Sequence, residues 1–355
     1  MTTVNFGKTI TLKQAATLIK ANPETRFLLQ GEPGIGKSSL LESIAADLNY
    51  DHAYIDVPNM DLGDIAMPVV DHATRTTKYY PNARFKLQDN KPVVIMLDEF
   101  TKGAEPVKNM LHPLLEKANP RLGDIPLGRS SVVFLTGNLS TDGVGDSLKA
   151  HSRNRIVPVT IAKPTADEWI DWGINHEVAP EVLAWVSRFP HVLASYLDTD
   201  GKNENPYIYD PRKPQASFVS PRSLHTASNI VKSRHQLDAD TVIAALTGAI
   251  GEAGARDMQA FIEFSDQLPT WEATITQPKH APIPTSPGAC AIVVFGAIAK
   301  VDRSTITPFM EYLERFEPEW QAVFAINIAK TPSKQAVAFS CKAFADWVAK
   351  NQDLL

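Results

Sequence analysis

Two short runs in this chain carry residue types suited to acting on phosphate. GEPGIGKS at 31–38 places glycines at 31, 34 and 36, a lysine at 37 and a hydroxyl at 38, fitting G-x-x-x-x-G-K-[ST] at every fixed position. Glycines let a backbone wrap closely around an anion, and the first amides of a following helix point at its oxygens. Lys37 would reach β- and γ-phosphates, and the Ser38 hydroxyl suits a hard divalent cation. The second run is VVIMLDE at 93–99, an apolar stretch ending in the carboxylates Asp98 and Glu99. Sixty-one positions separate Lys37 from Asp98, room for an intervening strand and helices. In such a pair the first carboxylate holds a Mg2+ shell, usually through water, and the second orients and polarises an attacking water. Apart from each other, a glycine-rich turn and an acidic strand end are commonplace; together they specify a triphosphate site.

The elements that must position these residues are legible from hydrophobic pattern. Residues 26–30 read as a short buried strand and 38–48 as a helix, so the glycine loop falls where a strand hands over to a helix N-terminus. A helix over 11–21, stopped by Asn22-Pro23, precedes them. Further strands are expected at 53–57, 92–97, 130–136 and 155–161, with a helix over 105–117. Strands apolar throughout and separated by helices predict a mainly parallel sheet buried on both faces. After Lys163-Pro164 the pattern turns helical, at 167–175, 180–189, 223–233, 239–250 and 255–268. Residues 198–214 read as a polar exposed loop, 277–287 as a Pro-rich connector, and 288–352 as a final helical region. The expected fold is α/β: a P-loop three-layer αβα core with a parallel sheet (1–162), a helical lid (163–276) and a helical C-terminal extension (277–355).

Composition narrows the classes. The chain has 355 residues, 44% of them hydrophobic, enough for two or three packed units. A net charge of −5 gives no global basic field, which argues against strong non-specific nucleic-acid binding, although a local basic channel in an oligomer would escape that count. Only Cys290 and Cys341 are present, which excludes a disulfide framework and fits a reducing cytoplasm. The N-terminal residues show no charged n-region followed by an apolar h-region, and no run of about 18 apolar residues occurs, so neither export by that route nor a membrane span is expected. His52, His72, His112 and His151 lack metal-ligand spacing.

Taken together the motifs resemble those of the AAA+ ATPases, and further matches narrow the resemblance to the MoxR-like, dynein-related branch. Thr136-Gly137-Asn138, at the end of an expected strand, resembles sensor 1, with Asn138 placing the lytic water. Arg153 and Arg155, in HSRNRI at 151–156, stand where the family has its trans-acting arginine finger; Arg155 is the first choice, with Ile156 replacing the usual aromatic. Ser220-Pro221-Arg222 resembles sensor 2, whose arginine contacts the γ-phosphate. DLGDIAMPVVD at 61–71 is similar to the family's stretch after its second strand, and LGDIPL at 122–127 falls where a hairpin precedes sensor 1. The resemblance covers about residues 25 to 225.

It implies binding and hydrolysis of ATP with Mg2+. The implied nucleotide-binding set is Gly31, Glu32, Pro33, Gly34, Ile35, Gly36, Lys37, Ser38, Ser39 and Arg222, with Ser38 and Asp98 on the metal and Glu99, Asn138, Arg155 and Arg153 catalytic. A finger supplied in trans implies a homo-oligomeric ring, with a hexamer the favoured closed form. MoxR-like proteins commonly work with a von Willebrand A-domain partner, so remodelling or activation of another protein is the implied output. A DNA-directed motor or restriction-type NTPase and a nucleotide-gated scaffold of low turnover are the alternatives. Tyr79, Tyr80 and Arg84 lie in an insertion that would either face a central pore or pack locally.

Overall fold

The computed structural model describes residues 8–139, 154–198, 204–213 and 215–351, in two units, Met1–Lys163 and Pro164–Leu355. In the first unit α1 (Leu12–Ala21) leads into β1 (Arg26–Gln30), α2 (Leu40–Leu48) and β2 (Asp51–Asp56). Next come α3 (Leu62–Ile65), β3 (Ala66–Asp71), β4 (Thr76–Pro81), β5 (Val93–Asp98) and α4 (Glu105–Leu111). The short strands β6 (Arg121–Leu122) and β7 (Ile125–Pro126) precede β8 (Val132–Gly137) and β9 (Ile156–Thr160).

Five of these strands form one parallel sheet in the order β2-β5-β8-β1-β9. Alternation along each strand distributes side chains to the two faces. Val93, Ile95 and Leu97 of β5 join Leu28, Ile55, Val133 and Leu135 in one core, sealed by Val107 and Leu111 of α4. Val94 and Met96 join Phe27, Leu29 and Phe134 in the other, covered by Ile19 of α1 and Leu41 and Ile44 of α2. The sheet is therefore the middle of three layers, as its unbroken apolar strands require. A capping box at Thr11 and Gln14 starts α1. The helix expected over 105–117 ends at Leu111 and continues as a 3-10 turn, His112–Leu115, because Pro113 has no amide to carry the ladder on.

The antiparallel hairpin β3–β4 is absent from the expected strands. Met67 pairs with Tyr80 and Val69 with Lys78. Met67, Val69, Val70, Tyr79 and Tyr80 are all exposed. Its foothold is the β6–β7 hairpin: Tyr79 donates its amide to Asp124 Oδ2 (2.7 Å), and Asp124 donates its own to the Tyr79 carbonyl (2.9 Å).

The described part of the second unit is helical, from Ala166–Asn175 to Lys342–Lys350, with a kink at Gly251 inside Ala239–Asp266. Side-chain caps at Thr165, Ser220, Asp238, Thr270 and Ser286 start five of the helices. The stretches expected as lid and extension share one apolar cluster, in which Trp185 and Leu224 pack with Phe295, Phe309, Phe324 and Phe344. All six tryptophans of the sequence, Trp169, Trp172, Trp185, Trp271, Trp320 and Trp347, belong to this unit. Among the described residues no helix is long and apolar enough to cross a membrane.

Candidate functional site

The glycine loop leaves the C-terminal end of β1 and turns into a 3-10 segment, Lys37–Ser39, that runs on into α2. Two of its glycines are dictated by geometry. A Cβ on Gly31 would lie 2.7 Å from Ile35 Cδ1 and 3.0 Å from the Ile161 carbonyl, and Gly36 has φ +101°, a region that side chains disfavour. Ile35 is 1% exposed and anchors the loop from beneath. Lys37 folds back over the loop, donating from Nζ to the carbonyls of Gly31 (2.8 Å) and Glu32 (2.9 Å). Ser39 donates to the Gly36 carbonyl at 2.7 Å, closing the first turn, and Ser38 precedes it. Glu32 does not face solvent: its carboxylate lies 3.7 Å from Lys163 Nζ, and both side chains are 3% exposed. Burial pulls the Lys163 ammonium below the usual lysine value, with the Glu32 charge opposing that shift. The loop's single acid is thus turned inward and adds little negative charge to a surface an anion would approach.

The carboxylates at the end of β5 are held by neighbouring strands. Asp98 accepts from Thr136 Oγ1 on β8 through one oxygen and from Tyr54 on β2 (2.7 Å) through the other. Glu99 takes the left-handed conformation (φ 49°, ψ 36°), which swings its side chain out of the strand line, and its amide donates to the same Thr136 hydroxyl at 3.1 Å. Thr136, 1% exposed, therefore donates to one acidic residue and accepts from the next. Glu99 Oε2 accepts from Lys102 Nζ at 2.8 Å.

Register brings the two motifs to one edge. Leu97 pairs with Leu135 across β5–β8, and Gln30 with Gly137 across β8–β1. Asp98, Thr136 and the first loop residue therefore line the C-terminal edge of the sheet, where open α/β sheets bind ligands. One strand lies between β1 and β5, so the two motifs are about 10 Å apart. Asn138 follows β8 on that intervening strand's end.

The arginines are distributed differently. Arg155 precedes β9, and the pairings of Arg26 with Ile156 and Gln30 with Thr160 put it at the opposite, N-terminal edge. It is exposed, donates from Nη1 to His112 Nε2 at 3.2 Å, and stands roughly 16 Å of strand away from its own chain's loop. Arg153 lies outside the described residues. Arg222, exposed, is the second residue of Pro221–Ser233 in the second unit, behind a capping box in which Ser220 Oγ accepts from the Ser223 amide at 3.1 Å.

Tyr54, Lys102 and Lys163 lie outside the sequence motifs, and Thr136 lies inside one whose expected functional residue is Asn138. Thr136 is the first residue of the sensor-like run, and Lys102 stands one turn from Glu99, a spacing at which opposite charges meet. For Tyr54 and Lys163, whose partners lie 44 and 131 positions away, no local signal exists.

Residues 26–124 match the family model of the AAA domain of the dynein-related subfamily, a span containing the glycine loop, Asp98 and Glu99. No curated protein matches the chain. Among solved structures, a RuvB mutant from Thermotoga maritima is 14% identical, over 96% of this chain and 87% of that one, with a TM-score of 0.33. NtrX from Brucella abortus in complex with ADP is 14% identical, over 98% of this chain and 69% of that one, with a TM-score of 0.40.

Proposed function

We propose that the first unit binds and hydrolyses ATP with Mg2+, in the manner of MoxR-like AAA+ proteins, and that the cycle remodels or activates a partner protein. One observation carries this reading: the glycine loop, the paired carboxylates Asp98 and Glu99, and Asn138 share the C-terminal edge of one parallel sheet. The loop amides and Lys37 would hold the phosphates, Lys37 exchanging its loop carbonyls for phosphate oxygens. Ser38 and Asp98 supply hard oxygen donors, and each Asp98 oxygen, though accepting one hydroxyl, keeps a lone pair for a metal-bound water. Mg2+, when bound, would compensate the phosphate charge. Glu99 would orient the attacking water and Asn138 would steady it from β8.

The placement of Arg155 supports action in trans. On the far edge from its own loop, it suits completing the pocket of an adjoining copy, which makes a head-to-tail ring the natural assembly, a hexamer being favoured. Arg222 of the helical unit would sense the γ-phosphate, and a von Willebrand A-domain protein is the kind of partner that fits.

The test separates binding from turnover. Lys37→Ala should abolish ATP binding measured by calorimetry, whereas Glu99→Gln should keep it while turnover falls about 100-fold or more. Equal loss of binding in both variants would refute this division of roles. Mixing Glu99→Gln with Arg155→Ala chains should restore hydrolysis if the arginine acts across a seam, and leave it absent if it acts within one chain.

A further inference from the structure

We propose that the helical unit carries a binding site of its own, a cavity that takes a small carboxylate with an apolar body. It lies wholly within the second unit and does not rest on the nucleotide reading. The cavity measures about 740 Å3, within the range of small-molecule sites. Five helices contribute to its lining: Pro180–Arg188, Pro221–Ser233, Ala239–Asp266, Trp271–Thr276 and Pro287–Lys300. Three observations fix the class of ligand.

First, much of the wall is apolar. Val178, Pro180, Ile292 and Ala297 line it together with Trp271, whose ring is held 5.4 Å from that of Phe309 in the core. Such a surface suits a hydrocarbon or aryl body. Second, a buried donor is left over. Arg234 lines the cavity with a side chain 14% exposed; its Nη2 serves Glu181 (3.1 Å) and Asp266 (3.0 Å), and its Nη1 donates to the Val231 carbonyl (3.1 Å). Its Nε, also buried, meets no hydrogen-bond acceptor among the described residues. A buried N–H of a cation is costly to leave without an acceptor, and a ligand carboxylate would supply one.

Third, the charge left unspent is mainly positive. Glu181 accepts from Ser265 Oγ (2.7 Å) as well as pairing with Arg234, and Asp266 is taken up by the same guanidinium. Lys232 and Lys300, both exposed and both lining the cavity, make no ion pair among the described residues. Two ammonium groups and the Arg234 Nε thus stand against Glu177, the one acid of the lining with no ion pair among the described residues. That balance draws an anion, and the apolar wall asks that the rest of it be hydrocarbon. A single spare guanidinium N–H, with Glu177 nearby, matches a monoanionic carboxylate better than a phosphate dianion.

The test is calorimetric titration of the full-length chain with 4-phenylbutyrate and with its neutral analogue 4-phenylbutyramide. The carboxylate should bind with a Kd of about 0.1–1 mM, the reach of a ligand with about twelve heavy atoms, and the amide about 10-fold more weakly. Lys232→Met/Lys300→Met changes two exposed side chains, should leave the melting temperature where it is, and should weaken the carboxylate about fivefold while the amide is unaffected. Arg234→Lys keeps a cation for Glu181 and Asp266 but lacks the Nε donor, and should lose the preference for carboxylate over amide. If Arg234→Lys does not fold, the two-lysine variant decides alone. No binding of 4-phenylbutyrate up to about 10 mM, equal affinity for the two probes, carboxylate binding untouched in Lys232→Met/Lys300→Met, or a preference kept by folded Arg234→Lys overturns the proposal. ATP plays no part in the assay, so its result stands whatever becomes of the nucleotide reading.

Discussion

Lys163→Met tests the support beneath the glycine loop. The substitution removes an ammonium 3.7 Å from the Glu32 carboxylate, at a place where both side chains are 3% exposed. At an effective dielectric constant of about 20, charges this far apart attract by about 4 kcal/mol, and removing one member of a buried pair typically costs about 3–5 kcal/mol. The separation exceeds a direct hydrogen bond, so the lower end, about 3 kcal/mol, is expected. For a unit of this size each kcal/mol moves the midpoint by roughly 2–4 °C, so the first unit should melt about 6–12 °C below wild type. The depressed pKa of Lys163 adds a second expectation. Desolvation outweighs the attraction of Glu32 there, so the pair as a whole is a poor stabiliser. Glu32→Met/Lys163→Met, with both charges gone and volume kept, should therefore recover most of the loss. Scanning calorimetry of the three proteins decides it. A single variant melting within about 2 °C of wild type, or a double variant as unstable as the single, would show that the buried charges do not depend on one another.

Two further outcomes are expected. Thr136→Val keeps the shape of a buried side chain but removes the hydroxyl shared by Asp98 and the Glu99 amide; hydrogen bonds to charged groups contribute about 1.5–3 kcal/mol, so ATP turnover should fall about 10- to 100-fold with ATP affinity within a few-fold of wild type, and an unchanged kcat would show that the shared hydroxyl does not position the carboxylates. Asp302 Oδ1 accepts from the amides and hydroxyls of Ser304 and Thr305, and those side-chain and backbone hydrogen bonds bring its carboxyl down to about 2. A folded value below the unfolded one means stability fully present above the ordinary carboxylate range and lost as pH falls through it toward about 2. Asp302→Asn should thus be less stable than wild type in urea at pH 7, with the gap narrowing steadily as pH falls toward and through about 2; a gap as wide at acid pH as at pH 7 would refute the linkage.

What could be read from sequence, and what could not, divides along a physical line. The glycine loop, the five sheet strands and the helical second half announce themselves through local spacing, since each depends on residues a few positions apart. The β3–β4 hairpin escapes because strand alternation is visible only where one face is buried, and here Val69 and Val70, adjacent residues on opposite faces, are both exposed. The side-chain contacts that finish the site lie beyond local pattern for another reason. Thr136 meets Asp98 across 38 positions and Lys163 meets Glu32 across 131, distances that only the strand order converts into contact. That order likewise sets Arg155 on the far edge of the sheet, a fact its Asn-Arg-Ile surroundings do not contain.

The segregation of the tryptophans has a practical corollary for anyone measuring this chain. With every indole beyond Lys163 and the glycine loop, Asp98 and Glu99 before it, intrinsic fluorescence excited at indole wavelengths arises from the helical unit alone. A change in that emission on adding nucleotide would be a response of the helical unit, so the unmodified chain carries a reporter of that unit's part in the cycle. A single tryptophan in place of exposed Tyr54, beside Asp98, would light the pocket instead.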